Sequence, residues 1–378
     1  MSFRARLFAF LALTGVLPVA LLGWLSFSLH RAEVERTVSR AQASVAAEAA
    51  RNVERTVASA VDGLRLSAIV QRHGPPDPRY PDVEFVHSLD DLLSRKIDLV
   101  VVATPNTSHH AVAKQSLLAG RHVVVDKPFT PTLAEARDLV QIAKQRQRII
   151  TVYQDRRYTG DFATVQQVVS EGTLGRVVLF ESHFDRFRPD RKPNAWREET
   201  LPGSGVWFDI GPHLFDQALL LFGIPDAIGA DIRIERPDAV VDDAFDVTLF
   251  YPHMRAVLRA SMLAAPVGPT WIVHGTKGSF IKYGMDPQEA ALKDGRTPDE
   301  PDWDTESPEF YGKLVAPDAT RTVPTLRSSF ARYYENVRDA MLGTAELAVT
   351  PEWSLDVMRG LELAAASSRA RRVLPWSA

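Results

Sequence analysis

The run "DLVVVATP" at residues 98–105 constrains the fold more than any other stretch of the chain. Its apolar residues are continuous instead of alternating. As a strand it must be covered on both faces, which is how strands of a parallel sheet lie. Two further runs share this texture, "HVVVDKP" (122–128) and "IITVYQ" (149–154). Helix-forming stretches stand between them: "HHAVAKQSLLAG" (109–120), closed by Gly120, and "TLAEARDLVQIAKQRQ" (132–147). Upstream, "LRLSAIV" (64–70) reads as a strand, "GPPDPRYPD" (74–82) as a loop, and "SLDDLLS" (88–94) as a helix capped by Ser88. Strand and helix in alternation predict a doubly wound parallel sheet, an α/β domain over residues 63–155.

The rhythm changes near residue 160. A helix at 161–171 is followed by strand patterns at 177–185, 228–236, 243–251, 255–263, 270–276 and 279–283. Tyr251–Met254 joins two of them as a hairpin. These predict an α+β domain with a mostly antiparallel open sheet over 156–325. Two helices, near 327–341 and 352–369, close the chain in a segment 326–378.

The front of the chain has a different texture. From Leu7 to Leu29 it runs 23 residues without a charge, long enough to cross a bilayer. A cleaved signal peptide normally has a shorter apolar region. Residues 1–30 are therefore expected to form a transmembrane helix that anchors the chain to a membrane. Residues 31–62, rich in Ala, Glu and Arg, are expected to form a helical linker. Arg4 and Arg6 pull the orientation one way and Arg31, Arg36 and Arg40 the other. Net charge is −3, which argues against a nucleic-acid surface. The absence of cysteine excludes disulfides, thiolate nucleophiles and Cys-ligated zinc. No histidine pair has helical metal-ligand spacing, so no metal is expected.

Few residues could carry chemistry. Lys127 follows an apolar strand and precedes Pro128, at the end of a parallel strand where ligands of such sheets bind. It can donate to a hydroxyl or carbonyl oxygen, or simply snorkel to solvent. Its position does not choose. In "GVWFDIGPHLFDQ" (205–217), Gly211 and Pro212 read as a helix start, which puts His213 in the first turn. The helix dipole there disfavours the imidazolium, leaving a neutral base that Asp209 can orient. Alternatively Asp209 caps free amides and His213 packs.

Lys127, Asp209 and His213 together resemble the site of the Gfo/Idh/MocA family of nicotinamide-dependent oxidoreductases, closest to its NADP-dependent scyllo-inositol dehydrogenase-like members. The resemblance runs through "ATPNTSHH" (103–110), "AGRHVVVDKPF" (119–129), "VYQDRRYTGDF" (152–162), "AWREE" (195–199) and "HGTKGSFIKYGMDPQEAAL" (274–292). It implies hydride transfer between a polyol or sugar hydroxyl and nicotinamide, with Lys127 polarising the oxygen and His213 taking the proton. Thr104, Pro105, Asn106 and His109 match the loop that flanks the nicotinamide and its ribose. Asp126, Lys127, Pro128 and Gln154 match the neighbouring strand ends. Trp196 and Arg197 match a pair reaching the cofactor from the second domain. An open sheet of this kind needs its exposed face covered, so a homo-oligomer formed through the second-domain sheet is expected. Arg72, just after the strand at 64–70, stands where an NAD site usually has an acid, so NADP(H) is preferred over NAD(H).

This chain departs from the family in three places. Asp126-Lys127-Pro128 replaces the usual Glu-Lys-Pro, and Asp155 stands where members usually carry Asn. There is also no glycine between Gly23 and Gly63, where members have a first strand and a glycine-rich loop for the pyrophosphate. A truncated Rossmann-like sheet is therefore expected. Two alternatives follow: a pseudoenzyme or fusion fragment without a working cofactor site, and a membrane sensor that binds a sugar. For an enzyme using NADP(H), the catalytic part is expected on the cytoplasmic side.

Overall fold

The computed structural model describes residues 61–377, apart from 72–75, 77, 79–80, 193–194 and 299. The apolar stretch 7–29, nearly all of the stretch 31–62, and Arg72 lie outside the described residues. No described helix is long and apolar enough to cross a membrane.

The first half is parallel α/β. In chain order it runs β1 (Ala68–Val70), β2 (Glu84–Val86), α1 (Leu89–Leu93), β3 (Leu99–Val102), α2 (His109–Leu118), β4 (His122–Asp126), α3 (Leu133–Arg146) and β5 (Ile150–Tyr153). β4 is the middle strand of a parallel β3–β4–β5 sheet, pairing Val123 with Val100 on one side and Ile150 on the other. Val123, Val124 and Val125 are fully buried, so the unbroken apolar run has the two-sided cover it requires. α3 starts on a capping box: Thr132 Oγ1 accepts from the Glu135 amide, and the Glu135 carboxylate accepts from the Thr132 amide. β1 and β2 form a separate parallel pair, and among the described residues no ladder joins them to β3. The strand expected over 64–70 shrinks to Ala68–Val70, because only these residues pair, against Glu84–Val86. That partner is too short for its periodicity to show in the sequence.

The second half adds α4 (Gly160–Ser170), β6 (Val177–His183), α5 (Val206–Phe222), β7 (Ala227–Arg233), β8 (Ala244–Phe250), β9 (Arg255–Ser261), β10 (Trp271–Gly275), β11 (Ser279–Lys282), α6 (Gln288–Lys293), β12 (Gly312–Ala316), β13 (Ala319–Val323), α7 (Ala331–Met341), α8 (Pro351–Ala370) and β14 (Leu374–Pro375). Its strands form one sheet in the order β13-β12-β11-β10-β6-β9-β8-β7-β14. Among the described residues of this sheet, only β6 and β9 pair in parallel. β13 escapes a sequence reading because it is an exposed polar edge with no apolar alternation to mark it.

α5 packs on β8 and β9, and α8 packs on α5, β7, α3 and β5. Gly360 lets α8 come this close: a Cβ there would strike the Phe215 ring of α5. Through α8, the helix layer of the second sheet is tied to the parallel sheet, and one apolar core takes in Val123, Val152, Phe215, Leu258 and Leu361.

Candidate active site

α5 carries Asp209 and His213, and its start is built by residues distant in sequence. The amides of Val206 and Trp207 donate to the backbone oxygen and the carboxylate of Asp242, at 2.9 and 2.6 Å. Gly205 holds the N-cap position with φ +90°, and a Cβ on it would collide with the Asp242 carboxylate. The expected helix start at Gly211–Pro212 is thus corrected: the borrowed cap lets the helix begin at Val206. Pro212 lies inside the helix, where it leaves the Phe208 carbonyl without its usual donor. His213 sits in the second turn, so the helix dipole is not what keeps it neutral.

Lys127 extends from the end of β4 toward this helix. Its Nζ donates to Asp209 Oδ1 at 2.8 Å and to the Asp209 backbone oxygen at 2.7 Å. Arg197 Nε stands 3.1 Å from the same Oδ1, with its guanidinium 4.6 Å over the Trp196 ring. The expectation that Asp209 orients His213 is therefore corrected, because an ammonium and a guanidinium occupy its carboxylate. Burial alone would raise the Asp209 pKa. Lys127 and Arg197 instead hold it well below the usual carboxylate range.

His213 is 5% exposed, and its Nδ1 lies 3.4 Å from Asp155 Oδ1. Burial, then the charges of Lys127 and Arg156, push its pKa well below the ordinary 6.5, with Asp209 pulling only partly back. The imidazole is neutral at neutral pH, as a general base requires.

A cavity with about 270 Å³ of open space lies beside Lys127. Of the expected cofactor residues, Thr104, Asn106, His109, Asp126, Lys127, Pro128, Trp196 and Arg197 line it, together with Asp209. Gly203 and Phe208 also line it, and the sequence did not single them out. Pro105 and His213 do not line it, and Gln154 borders a separate apolar cavity behind Pro128. His109 is a clamp: Nδ1 lies 2.9 Å from the Pro128 oxygen and Nε2 2.8 Å from the Thr104 oxygen. Both nitrogens face main-chain oxygens, and the neutral ring that burial favours donates to one of them, so His109 is wedged between the loops after β3 and β4. Asn106 Nδ2 donates to the Gly203 oxygen at 2.6 Å, while Asn106 Oδ1 and Trp196 Nε1 are buried without partners. Asp155, beside His213, was visible in the sequence only as an oddity within its motif.

Comparison with known proteins identifies the family of the chain. The Gfo/Idh/MocA oxidoreductase family's NAD-binding Rossmann model matches residues 40–154, and its C-terminal alpha/beta domain model matches residues 166–376. The first match begins upstream of Gly63, within the stretch read above as a linker. The uncharacterised oxidoreductase YdgJ of Escherichia coli K12 is 43% identical over 280 residues, covering 74% of this chain and 81% of that protein. The scyllo-inositol 2-dehydrogenase (NADP(+)) IolW of Bacillus subtilis is 36% identical over 300 residues, covering 78% and 84%. A crystal structure of an oxidoreductase from Bacillus cereus superposes with a TM-score of 0.78 at 32% identity, covering 86% of this chain and 95% of that one. Both halves of the chain match one family in the family's own order, and the chain belongs to the Gfo/Idh/MocA oxidoreductases, with an NAD-binding Rossmann domain ahead of a C-terminal α/β domain.

Proposed function

We propose that the chain oxidises a hydroxyl of a polyol or sugar, reversibly, with NADP(H) preferred over NAD(H). The observation that carries this reading is Lys127 fixed at the wall of the cavity by Asp209, with a neutral His213 one helical turn further along. Lys127 Nζ polarises the substrate oxygen, and His213 takes the hydroxyl proton. Asp209 and Arg197 hold Lys127 in position. Nicotinamide, when bound, supplies the hydride acceptor. The residues present fit its carboxamide: Asn106 Oδ1 is a spare acceptor and Trp196 Nε1 a spare donor, both buried at the cavity. Arg72 and the name of IolW favour NADP(H) and a polyol. This chemistry suits the cytoplasmic side.

Titration of NADPH and NADH into the full-length protein in detergent, followed by nicotinamide fluorescence, tests the reading. NADPH is expected to bind more tightly than NADH and to weaken in Lys127→Ala. Binding of neither would overturn it. That result would favour the pseudoenzyme reading, which the glycine-free run at 24–62 supports.

We also propose that the chain self-associates through the second-domain sheet. Val257, Ile272 and Ile281 stand half-buried on the face opposite the buried Leu258, Val273 and Phe280, in register across β9, β10 and β11 with Glu181 of β6 between them. Sedimentation is expected to give an oligomer. A monomer at every concentration would remove the proposal.

A further inference from the structure

Asp155 opens the turn Asp155–Tyr158 that follows β5, and it has no part in the reaction as described so far. Its Oδ1 lies 3.4 Å from His213 Nδ1, and its Oδ2 3.8 Å from Arg156 Nε. Both members of the first pair are largely buried, with side-chain exposures of 19% for Asp155 and 6% for His213. His213 Nδ1 is sealed from solvent without a hydrogen-bond partner, whereas Nε2, which makes no hydrogen bond among the described residues, is not sealed in that way. The two ring nitrogens thus have different surroundings: one faces a carboxylate, the other is reachable. A neutral imidazole has a single N–H, and the neighbouring acceptor decides which nitrogen keeps it.

We propose that Asp155 is the positioning residue for His213: it accepts the Nδ1 proton and leaves Nε2 as the bare nitrogen that takes the substrate's proton. This rests on His213 being the base, as proposed above. A distance of 3.4 Å is long for a hydrogen bond. Contacts of this kind tighten in the substrate complex.

The charged surroundings are mixed. Lys127 and Asp126 face the pair from the end of β4, Arg156 from the same turn and Glu289 from α6, with Asp209 on α5 and Arg186 beyond β6. Tyr153 and Tyr334 border Asp155. Burial raises the Asp155 pKa to about 6, against the pull of Arg156 and Lys127. The carboxylate form, which can only accept, therefore prevails above that pH. Below it the acid can donate to Nδ1, and the preference fades.

The test is 15N spectroscopy of the full-length protein labelled at histidine, above neutral pH and without substrate. The His213→Gln spectrum identifies the His213 signals among the ten histidines. The wild type is expected to carry the proton on Nδ1. In Asp155→Ala and in Asp155→Leu, which both remove the acceptor, it is expected to shift to Nε2, the form that free neutral histidine favours. An Nε2 proton in the wild type would overturn the proposal. So would an unchanged tautomer in either acceptor-free variant that still folds. NADPH titration of the same samples keeps the two ideas apart: loss of cofactor binding bears on the dehydrogenase reading, and the spectra alone decide the role of Asp155.

Discussion

His213→Gln is expected to lower kcat by roughly 10²–10⁴-fold with the polyol that the wild type oxidises, the usual range for loss of a general base. NADPH affinity should hardly change, because His213 does not line the cavity that the nicotinamide fits. The pH profile adds a sharper sign. Oxidation needs a neutral base, so the rate rises with pH through the His213 pKa and is level above it. Burial, Lys127 and Arg156 hold that pKa well below 6.5, so the wild-type plateau extends across neutral pH. Glutamine takes no proton, so in the variant the acid limb should vanish instead of moving. Lys127→Met makes the contrast. It removes a charge that depresses His213, so the limb should move to higher pH while kcat also falls. A His213→Gln enzyme that kept the wild-type limb would assign the proton to another group.

The sequence made the layout of this site legible, but not its pairings. Lys127 stands out because an unbroken apolar strand ends at Asp126 and ligands gather at such ends. Asp209 and His213 stand out as two titratable groups in an apolar run. Their placement around a helix start then suggests that Asp209 orients the His213 ring. That inference failed for a reason outside the helix: Lys127, 82 residues away, claims the Asp209 carboxylate. The helix start failed in the same way, because Asp242 caps Trp207 from 35 residues downstream. Periodicity reports the inward face of an element. It carries no information on which distant group arrives there, and the partners of Asp209, His213 and Trp207 are all of that kind. The family resemblance made the cofactor cavity legible, since motifs keep such residues together in the fold. It points to His109 as a cofactor residue without showing that its ring is wedged between two main-chain oxygens.

Asp216→Ala is expected to destabilise the protein by about 3–5 kcal/mol, read as a lower urea midpoint with an unchanged slope. Asp216 is 1% exposed and accepts two parallel hydrogen bonds from Arg157, at 2.6 and 2.7 Å, and a third from Trp353 Nε1 at 2.8 Å. Arg157 also donates to the Ala348 oxygen and lies 4.9 Å over the Trp353 ring. Truncating Asp216 strands a buried guanidinium, and that stranded charge is the source of the large effect. Removing both charges together should be far milder, so Arg157→Met with Asp216→Leu is expected to recover most of the loss. The pair also fixes geometry. Arg157 belongs to the turn that begins at Asp155, and Asp216 lies three residues beyond His213 on α5. The double variant would therefore be stable yet free to let that turn shift against α5. If the turn positions His213, kcat should stay low in the double variant after stability has returned. Full recovery of both together would mean that the buried pair serves the fold alone.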